Sequence, residues 1–256
     1  MKKFLCILIM LLISSISANA VELKFVQVDS ARYFPNSEEN AAKFKSLIKE
    51  INKQKNISFV VFTGDNIITS NKKYLEAFLK KANGLNTPYY VALGHKDLNK
   101  KKGLSKEEYI KTVRKISHKS ISSPNYTFTK KGVVFIVADG AKEFIPTPFG
   151  YYREDVINWV DSELTKNSKR NVIILQHFPV YPPVQKEPYM TYKGDEYLKM
   201  LSNHKNVKAV VSGFNMNNEI DVDGIKHITT AAYPSYRIIE VIDAETDNPT
   251  IWSTLK

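Results

Sequence analysis

The stretch Ile-Ser-Phe-Val-Val-Phe-Thr-Gly-Asp-Asn-Ile at positions 57–67 decides the fold of this chain. Its apolar run is typical of a strand that is buried on both faces, as in parallel sheets covered by helices. Gly64 and Asp65 end the run and place a carboxylate at the carboxyl end of the strand, where open α/β sheets keep their sites. A buried carboxylate requires hydrogen-bond donors or a cation nearby, so the residues that face Asp65 define the site.

Similar strand ends recur along the chain. Further apolar runs end in a polar or glycine step at Asp29, Gly94-His95, Asp139, His177 and Gly213. Because the carboxyl ends of neighbouring parallel strands meet at one edge of a sheet, we expect these residues to converge on one crevice.

The periodicity of apolar residues predicts an alternation of strands and helices. The first elements follow a β-α-β-α-β order, at 21–28, 38–53, 59–63, 72–81 and 89–93. Short connections of this kind indicate parallel strands. The later elements are helices at 105–116 and 154–164, a hairpin at 126–138, strands at 172–175 and 207–211, and a meander of short strands over 219–253. This two-part pattern predicts an α/β fold with two mixed β-sheets packed face to face and helices on the outside.

The first twenty residues have the pattern of a signal peptide. Lys2 and Lys3 precede an apolar run at 4–13, and Ala18-Asn19-Ala20 matches a small-residue cleavage site. The run is short for a membrane span, although an uncleaved N-terminal anchor is the alternative. We therefore expect export to the periplasm or secretion, with no membrane span after cleavage.

The mature chain at 21–256 is expected to form one domain. Cys6 is the only cysteine of the sequence and lies in the predicted signal peptide. The mature chain therefore has no disulfide, thiolate metal ligand or cysteine nucleophile. The formal net charge of +11 raises the question of a polyanionic partner. However, the basic residues are mostly scattered lysines, whereas nucleic-acid sites combine arginine with stacked aromatic rings, so we expect no nucleic-acid partner.

The strand ends also carry a family resemblance. The motifs in question are Phe25-Val-Gln-Val, Phe62-Thr-Gly-Asp-Asn, Val91-Ala-Leu-Gly, Phe135-Ile-Val-Ala-Asp, Asn158-Trp-Val-Asp, Gln176-His-Phe-Pro and Val210-Val-Ser-Gly. In kind and in order they resemble the calcineurin-like metallophosphoesterases over essentially the whole mature chain. The resemblance implies a four-layer α/β/β/α sandwich. It also implies hydrolysis of phosphomonoesters or phosphodiesters by two metal ions, with Mn, Fe or Zn as the suitable metals.

Two of the family's metal-ligand positions are retained here. The family uses blocks of the form Asp-x-His, Gly-Asp, Gly-Asn-His-Asp or Glu, a lone His, and Gly-His-x-His. Asp65 matches the ligand that bridges both ions, and His177 matches the lone His. Asp29 and His95 are possible substitutes in the first and third blocks.

Other positions depart from the family pattern. Lys96 stands at the position of the catalytic His, and Ala31 or Arg32 replaces the His of the first block. Phe214 and Met216 replace both imidazoles of the last block, where we expect them to fill the vacated space. The departures put binding of two ions in doubt and leave no catalytic residue assigned, with His95 as the possible one.

The replacements introduce positive charge near Asp65. Arg32 and Lys96 are fixed cations, and either can compensate a buried carboxylate when the geometry is good. The leading hypothesis is therefore a metallophosphoesterase fold with an impaired catalytic centre, which binds a phosphorylated small molecule through Arg32 and Lys96. The alternative is an active phosphoesterase with an atypical, mononuclear metal site. A serine hydrolase is disfavoured because no Gly-x-Ser-x-Gly motif occurs.

Overall fold

A computed structural model describes residues 23–117, 120–181, 191–213 and 216–256. The predicted signal peptide at 1–20 and Phe214 lie outside these ranges. Within them the chain forms thirteen strands and five helices. In order these are β1 (Leu23–Val28), α1 (Glu38–Lys53), β2 (Ile57–Phe62), α2 (Lys72–Ala82), β3 (Tyr89–Val91), α3 (Lys106–Ser117), β4 (Tyr126–Lys130), β5 (Val133–Val137), β6 (Gly150–Tyr151), α4 (Glu154–Lys166), β7 (Val172–Gln176), β8 (Thr191–Tyr192), α5 (Gly194–Ser202), β9 (Val207–Ser212), β10 (Asn218–Val222), β11 (Ile225–Thr229), β12 (Tyr236–Ile242) and β13 (Thr250–Leu255).

The strands form two large mixed sheets. The first has the order β13-β12-β1-β2-β3, with β1, β2 and β3 parallel and β12 antiparallel to β1. The second has the order β10-β11-β9-β7-β5-β4, with a parallel centre and antiparallel edge strands. Strands β6 and β8 form a small separate pair. The predicted α/β fold with two mixed sheets is confirmed.

Aromatic rings fill the space between the two large sheets. Phe25 of β1 and Phe59 of β2 stack at 4.8 Å between ring centroids. The edges of both rings meet Phe135 of β5, at 5.5 and 4.9 Å. All three side chains are completely buried. These contacts hold the sheets face to face and keep the strand ends of both sheets at the same side of the molecule.

Helices cover the outer face of the first sheet. The first of them, α1, begins where Ser37 accepts a hydrogen bond from the N–H of Asn40, as expected of an N-cap serine. Phe44 of α1 and Phe78 of α2 both pack against Phe62 of β2, with ring centroids 6.1 and 5.0 Å away. Strand β2 is therefore buried on both faces, as its apolar run predicts.

Two parts of the predicted pattern are wrong. The expected meander at 219–253 is split, because β10 and β11 extend the second sheet whereas β12 and β13 return to the first. Strand β12 lies between β1 and β13 and is largely buried, in keeping with its mainly apolar sequence. Helix α5 was not predicted at all. It is only nine residues long and follows Lys193, which has a left-handed φ of 60°.

None of the helices in the described ranges is long and apolar enough to cross a bilayer.

Candidate metal centre

Strained backbone surrounds the candidate site. Ser30 and Arg32 after β1, and Asp65 after β2, have left-handed φ values of 46°, 43° and 50°. Backbone hydrogen bonds lock the two loops together, from Ser30 to Gly64 at 3.0 Å and from Arg32 to Asp65 at 2.9 Å. Left-handed backbone at residues other than glycine costs about 1–3 kcal/mol each and clusters at functional sites. The strand ends after β1 and β2 therefore have the backbone of a functional site.

Asp65 lies at the centre of this site and is completely buried. Its Oδ1 atom accepts a 2.9 Å hydrogen bond from the backbone N–H of Lys96. The same oxygen lies 3.3 Å from Nδ1 of His95 and 3.6 Å from Nε2 of His177. Its Oδ2 atom is buried and accepts no hydrogen bond from the residues that the structure describes. A buried carboxylate oxygen without a donor is costly unless a further ligand is bound there.

Asp65, His95 and His177 together form a possible metal-binding group. One ligand atom from each lies within 4.8 Å of the other two. The three residues follow β2, β3 and β7, so both sheets contribute to the group. This confirms that these strand ends converge. It also includes His95, which the sequence indicated only as a possible substitute ligand.

The orientation of His177 is fixed by its Nδ1 atom. Nδ1 lies 2.7 Å from the carbonyl oxygen of Thr63, and because a carbonyl only accepts, Nδ1 carries the proton and donates. The Nε2 atom is thereby directed towards Asp65. Ligating histidines typically donate their other ring N–H to a carbonyl or carboxylate in this way. Thr63, which the sequence did not indicate as a site residue, is therefore a positioning residue.

Asp29 lies on the other side of His177. Its Oδ1 is 3.3 Å from Nδ1 of His177, and its carboxylate accepts hydrogen bonds from Ser30 Oγ at 2.6 Å and Thr63 Oγ1 at 2.9 Å. A Cβ atom at Gly213 would collide with the same carboxylate. Asp29 was considered as a substitute ligand, but the geometry makes it a support for the imidazole of His177.

The two imidazoles have opposite pKa shifts. Burial lowers the pKa of His95 to about 4, and the attraction of Asp65 offsets this only in part. His95 is therefore neutral and able to bind a metal at pH 7. Burial also acts to lower the pKa of His177, but the carboxylates of Asp65 and Asp29 outweigh it and raise that pKa to about 9. Without metal, His177 is an imidazolium between two carboxylates.

Arg32 and Lys96 contact Asp65 through their backbone. Both donate a backbone N–H to it, Arg32 to the carbonyl oxygen and Lys96 to Oδ1. The imidazoles of His95 and His177 also lie beside its carboxylate. The counter-ion role that the sequence assigned to Arg32 and Lys96 stays a prediction, and His177 at the end of strand β7 is a further cation-capable group beside Asp65. The positive charges of Arg32 and Lys96 are still close enough to lower the pKa of His95.

Asp97 holds the loops that carry Asp65 and His95. It is completely buried, and its carboxylate accepts the backbone N–H groups of Asn66, Ile67 and Gly94 at 2.8, 3.2 and 2.9 Å. Burial raises its pKa to about 7. The sequence does not indicate this positioning role of Asp97, because it depends on bonds to a neighbouring loop.

Two further strand-end residues have structural roles. Asp139 forms a 2.5 Å ion pair with Lys106 of α3 and takes no part in the three-residue group. Gly213 packs against Asp29, as described above. Met216, which replaces an imidazole of the family pattern, is half-buried.

Comparisons with known proteins identify the family and the fold. The sequence profile of the calcineurin-like phosphoesterases matches residues 37–213, which is more than half of the chain. The chain belongs to the calcineurin-like phosphoesterase family. A probable cyclic nucleotide phosphodiesterase of Xenorhabdus bovienii is 27% identical over 180 residues. That match spans 66% of each chain, slightly less than two thirds of the relative.

Solved structures of other family members share the fold. A dimetal phosphatase from Danio rerio superposes with a TM-score of 0.65 at 14% identity, covering 90% of this chain and 98% of the other. A purple acid phosphatase from yellow lupin seeds gives a TM-score of 0.63 at 12% identity, covering 92% and 51%. The four-layer metallophosphoesterase fold implied by the sequence is thus confirmed.

The residues of this calcineurin-like phosphoesterase fit one metal ion. One carboxylate and two imidazoles form a set of three protein ligands, which is the usual number in catalytic zinc sites. The buried Oδ2 of Asp65 supplies a further oxygen that no described residue satisfies. A second ion has no comparable ligand set in the described ranges, where the possible metal-binding group comprises Asp65, His95 and His177.

Proposed function

We propose that this chain is an exported calcineurin-like phosphoesterase that retains one metal ion and hydrolyses phosphoesters slowly. The observation that carries the proposal is the geometry around Asp65, whose buried Oδ2 has no donor beside two convergent imidazoles. If the site bound no metal, a hydrogen-bond donor would be expected beside this buried oxygen.

Asp65, His95 and His177 would hold the ion, which could be Zn, Mn or Fe on the basis of its nitrogen and oxygen ligands. When bound, such an ion polarises a phosphoryl oxygen and lowers the pKa of a coordinated water. Thr63 and Asp29 orient the imidazole of His177, and the N–H of Lys96 orients the carboxylate of Asp65. Asp97 fixes the two loops on which these groups lie.

Slow turnover is expected because the second metal ion and the catalytic imidazole of the family are missing. A single ion cannot clamp both the attacking and the leaving oxygen, as two ions do. Lys96 stands where the family has its catalytic imidazole, and an ammonium group is a weaker proton donor than an imidazolium near neutral pH. The side chains of Arg32 and Lys96 instead add positive charge that favours a phosphate-bearing substrate.

A second candidate function is phosphoester binding without turnover. The replacement of the catalytic imidazole by Lys96 favours it, because metal and anion binding can persist when proton transfer to the leaving group is lost. In that case the chain would recognise a phosphorylated small molecule.

An assay with loaded metal separates the two candidates. The protein is stripped of metal, loaded with Mn, Fe or Zn, and assayed on 4-nitrophenyl phosphate, bis(4-nitrophenyl) phosphate and a 3′,5′-cyclic nucleotide. We expect slow, metal-dependent hydrolysis that Asp65→Asn abolishes and the surface variant Asp155→Asn leaves intact. Metal-dependent substrate binding without hydrolysis would favour the second candidate. Hydrolysis that survives Asp65→Asn would contradict both.

Export is proposed from the sequence pattern at 1–20. Expression of the full chain in a bacterial host, followed by N-terminal sequencing, tests it. We expect mature protein that begins at Val21 in the periplasm or medium. Uncleaved protein in the membrane fraction would indicate the anchor instead.

A further inference from the structure

Two neighbouring apolar side chains protrude from the loop after β5. Phe144 and Ile145 are 58% and 69% exposed, whereas large apolar side chains elsewhere in this chain are mostly buried. They follow Glu143 in a loop that begins at the carboxyl end of β5, the same edge of the sheets as the candidate metal centre. Two adjacent exposed apolar side chains form a small apolar patch, which suits a contact surface when charged groups adjoin it.

Lysines lie on the same loop and on the neighbouring loop, and one of them contacts Phe144. Lys100, Lys101 and Lys102 are exposed on the neighbouring loop. The Nζ of Lys100 lies 4.7 Å from the centre of the Phe144 ring, so the basic and apolar groups form one surface. Lys142 lies on the same loop as Phe144, and its Nζ lies over another ring of this edge. Phe144, Ile145, Lys100, Lys101, Lys102 and Lys142 are called the basic apolar tip below.

The two loops of the basic apolar tip are fastened together. The N–H of Lys100 donates to the carbonyl oxygen of Glu143 at 2.7 Å, and the N–H of Lys106 donates to its carboxylate at 2.8 Å. The ammonium of Lys106 also pairs with Asp139 at 2.5 Å. Because the loops are held in place, the exposed side chains are presented without a large entropic cost of ordering on binding.

We propose that the basic apolar tip docks this protein peripherally onto an anionic lipid bilayer. Lysines gain from the negative potential of such a surface, and Phe144 and Ile145 are suited to insertion among the headgroups. An acidic protein partner fits less well, because two protruding side chains offer far less than the apolar area of a stable protein interface.

Docking in this way would hold the candidate metal centre near the membrane. His95 and Lys100 belong to the segment between β3 and α3, and the basic apolar tip is therefore continuous with a loop of the site. The inference does not depend on metal binding or on hydrolysis, since none of the tip residues is a proposed ligand.

Vesicle binding by purified protein tests this proposal. The protein is floated with vesicles of equimolar phosphatidylcholine and phosphatidylglycerol, and with vesicles of phosphatidylcholine alone, at low and at physiological salt. We expect binding to the anionic vesicles that weakens with salt. Each lysine near such a surface is worth roughly a fivefold change in affinity, so a triple change of Lys100, Lys101 and Lys102 to Gln is expected to weaken binding by at least about tenfold.

Matched variants control for charge and for apolar exposure. Lys45, Lys49 and Lys53 are exposed on α1, and changing these three to Gln removes the same charge far from the tip. Trp252 is 61% exposed on β13, and Trp252→Ser is the control for a double change of Phe144 and Ile145 to Ser. All variants are checked for unchanged thermal unfolding.

The proposal is supported if the two tip variants lose binding to anionic vesicles and the two control variants keep it. It is overturned if the wild type does not bind anionic vesicles at low salt, or if the α1 lysine variant loses as much binding as the tip lysine variant. It is also overturned if the double Ser variant binds as the wild type does. Polyglutamate, a lipid-free polyanion, serves as a competitor. Tip-dependent capture of polyglutamate by protein that ignores the vesicles would point to an acidic protein partner instead.

Discussion

The Nε2 atom of His177 lies 3.6 Å from Oδ1 of Asp65, and both side chains are buried between the two sheets. Residues from different sheets, far apart in sequence, thus form the centre of the candidate site. The separation is longer than a hydrogen bond, and both atoms are suited to share a bound cation. Without metal, protonated His177 holds the charges of Asp65 and Asp29, which explains why the carboxylates tolerate burial.

Removal of His177 is expected to destabilise the metal-free protein. His177→Gln leaves two buried carboxylates without their imidazolium, and breaking a buried ion pair in this way costs about 3 kcal/mol or more. Urea unfolding at neutral pH measures this loss. The control His204→Gln removes a partly exposed imidazole that pairs with Asp161, and its effect should stay below about 1 kcal/mol. Addition of Asp65→Asn to the His177 variant should recover part of the loss, and simple additivity would speak against the pairing.

Asp97 is expected to be important for both stability and metal binding, although it is not a proposed metal ligand. Asp97→Ala leaves the N–H groups of Asn66, Ile67 and Gly94 buried without an acceptor, at a cost of about 1–3 kcal/mol for each group. The free energy of unfolding should fall by at least about 3 kcal/mol, with weaker metal binding in the protein that remains folded. The exposed residue Asp155 provides the control, since Asp155→Ala should change little. A stable Asp97→Ala protein with unchanged metal affinity would refute the positioning role.

Gly213 is predicted to be essential for the placement of Asp29. A Cβ atom at this position would collide with the Asp29 carboxylate, so Gly213→Ala must displace that carboxylate from His177. We expect a marked fall in the melting temperature and in metal affinity. Gly194 provides a comparison, because a Cβ there meets its nearest neighbour at 3.5 Å, which is an ordinary contact. Equal effects of Gly213→Ala and Gly194→Ala on metal affinity would disagree with this account.

His227 is predicted to make the folding stability of the protein depend on pH. It is buried in β11, its Nε2 has no hydrogen-bond partner among the described residues, and burial lowers its pKa to about 4. The unfolded chain takes up this proton near pH 6.5, whereas the folded chain does not. Stability should therefore fall as the pH decreases from about 6.5 to 4, by up to about 3 kcal/mol, and this contribution should level off at lower pH.

His227→Leu tests the assignment, because it removes the titrating group from an apolar site. Between pH 7 and 4.5 the wild type should lose more stability than the variant. Identical pH profiles would show that other groups cause the loss.

Most of the fold could be predicted from the sequence because its central elements have strong local sequence patterns. The apolar run of β2 and the Ser37 cap of α1 each predict one structure, and both are observed. The split between β11 and β12 could not be predicted, because the choice of neighbouring strand depends on packing between distant segments. Helix α5 was missed because its nine residues give too short a periodic pattern.

The candidate site could be predicted only in part, because some of its residues act through contacts between distant loops. Asp65 and His177 stood out through their strand-end motifs, and both are in the site. The supporting roles of Thr63 and Asp97 depend on side-chain contacts between loops, which leave no periodic trace in the sequence. The charges of Arg32 and Lys96 were visible in the sequence, but the placement of the His95 and His177 imidazoles beside Asp65 depends on strand order and was not.

The metal content of the protein tests the central claim most directly. Protein stripped with a chelator is equilibrated with Mn, Fe or Zn, freed of unbound metal and measured by elemental analysis. The account predicts one tightly bound ion per chain in the wild type and none in Asp65→Asn, with Asp155→Asn as the folded control. Two ions per chain, no ion at all, or an ion retained by Asp65→Asn would contradict it.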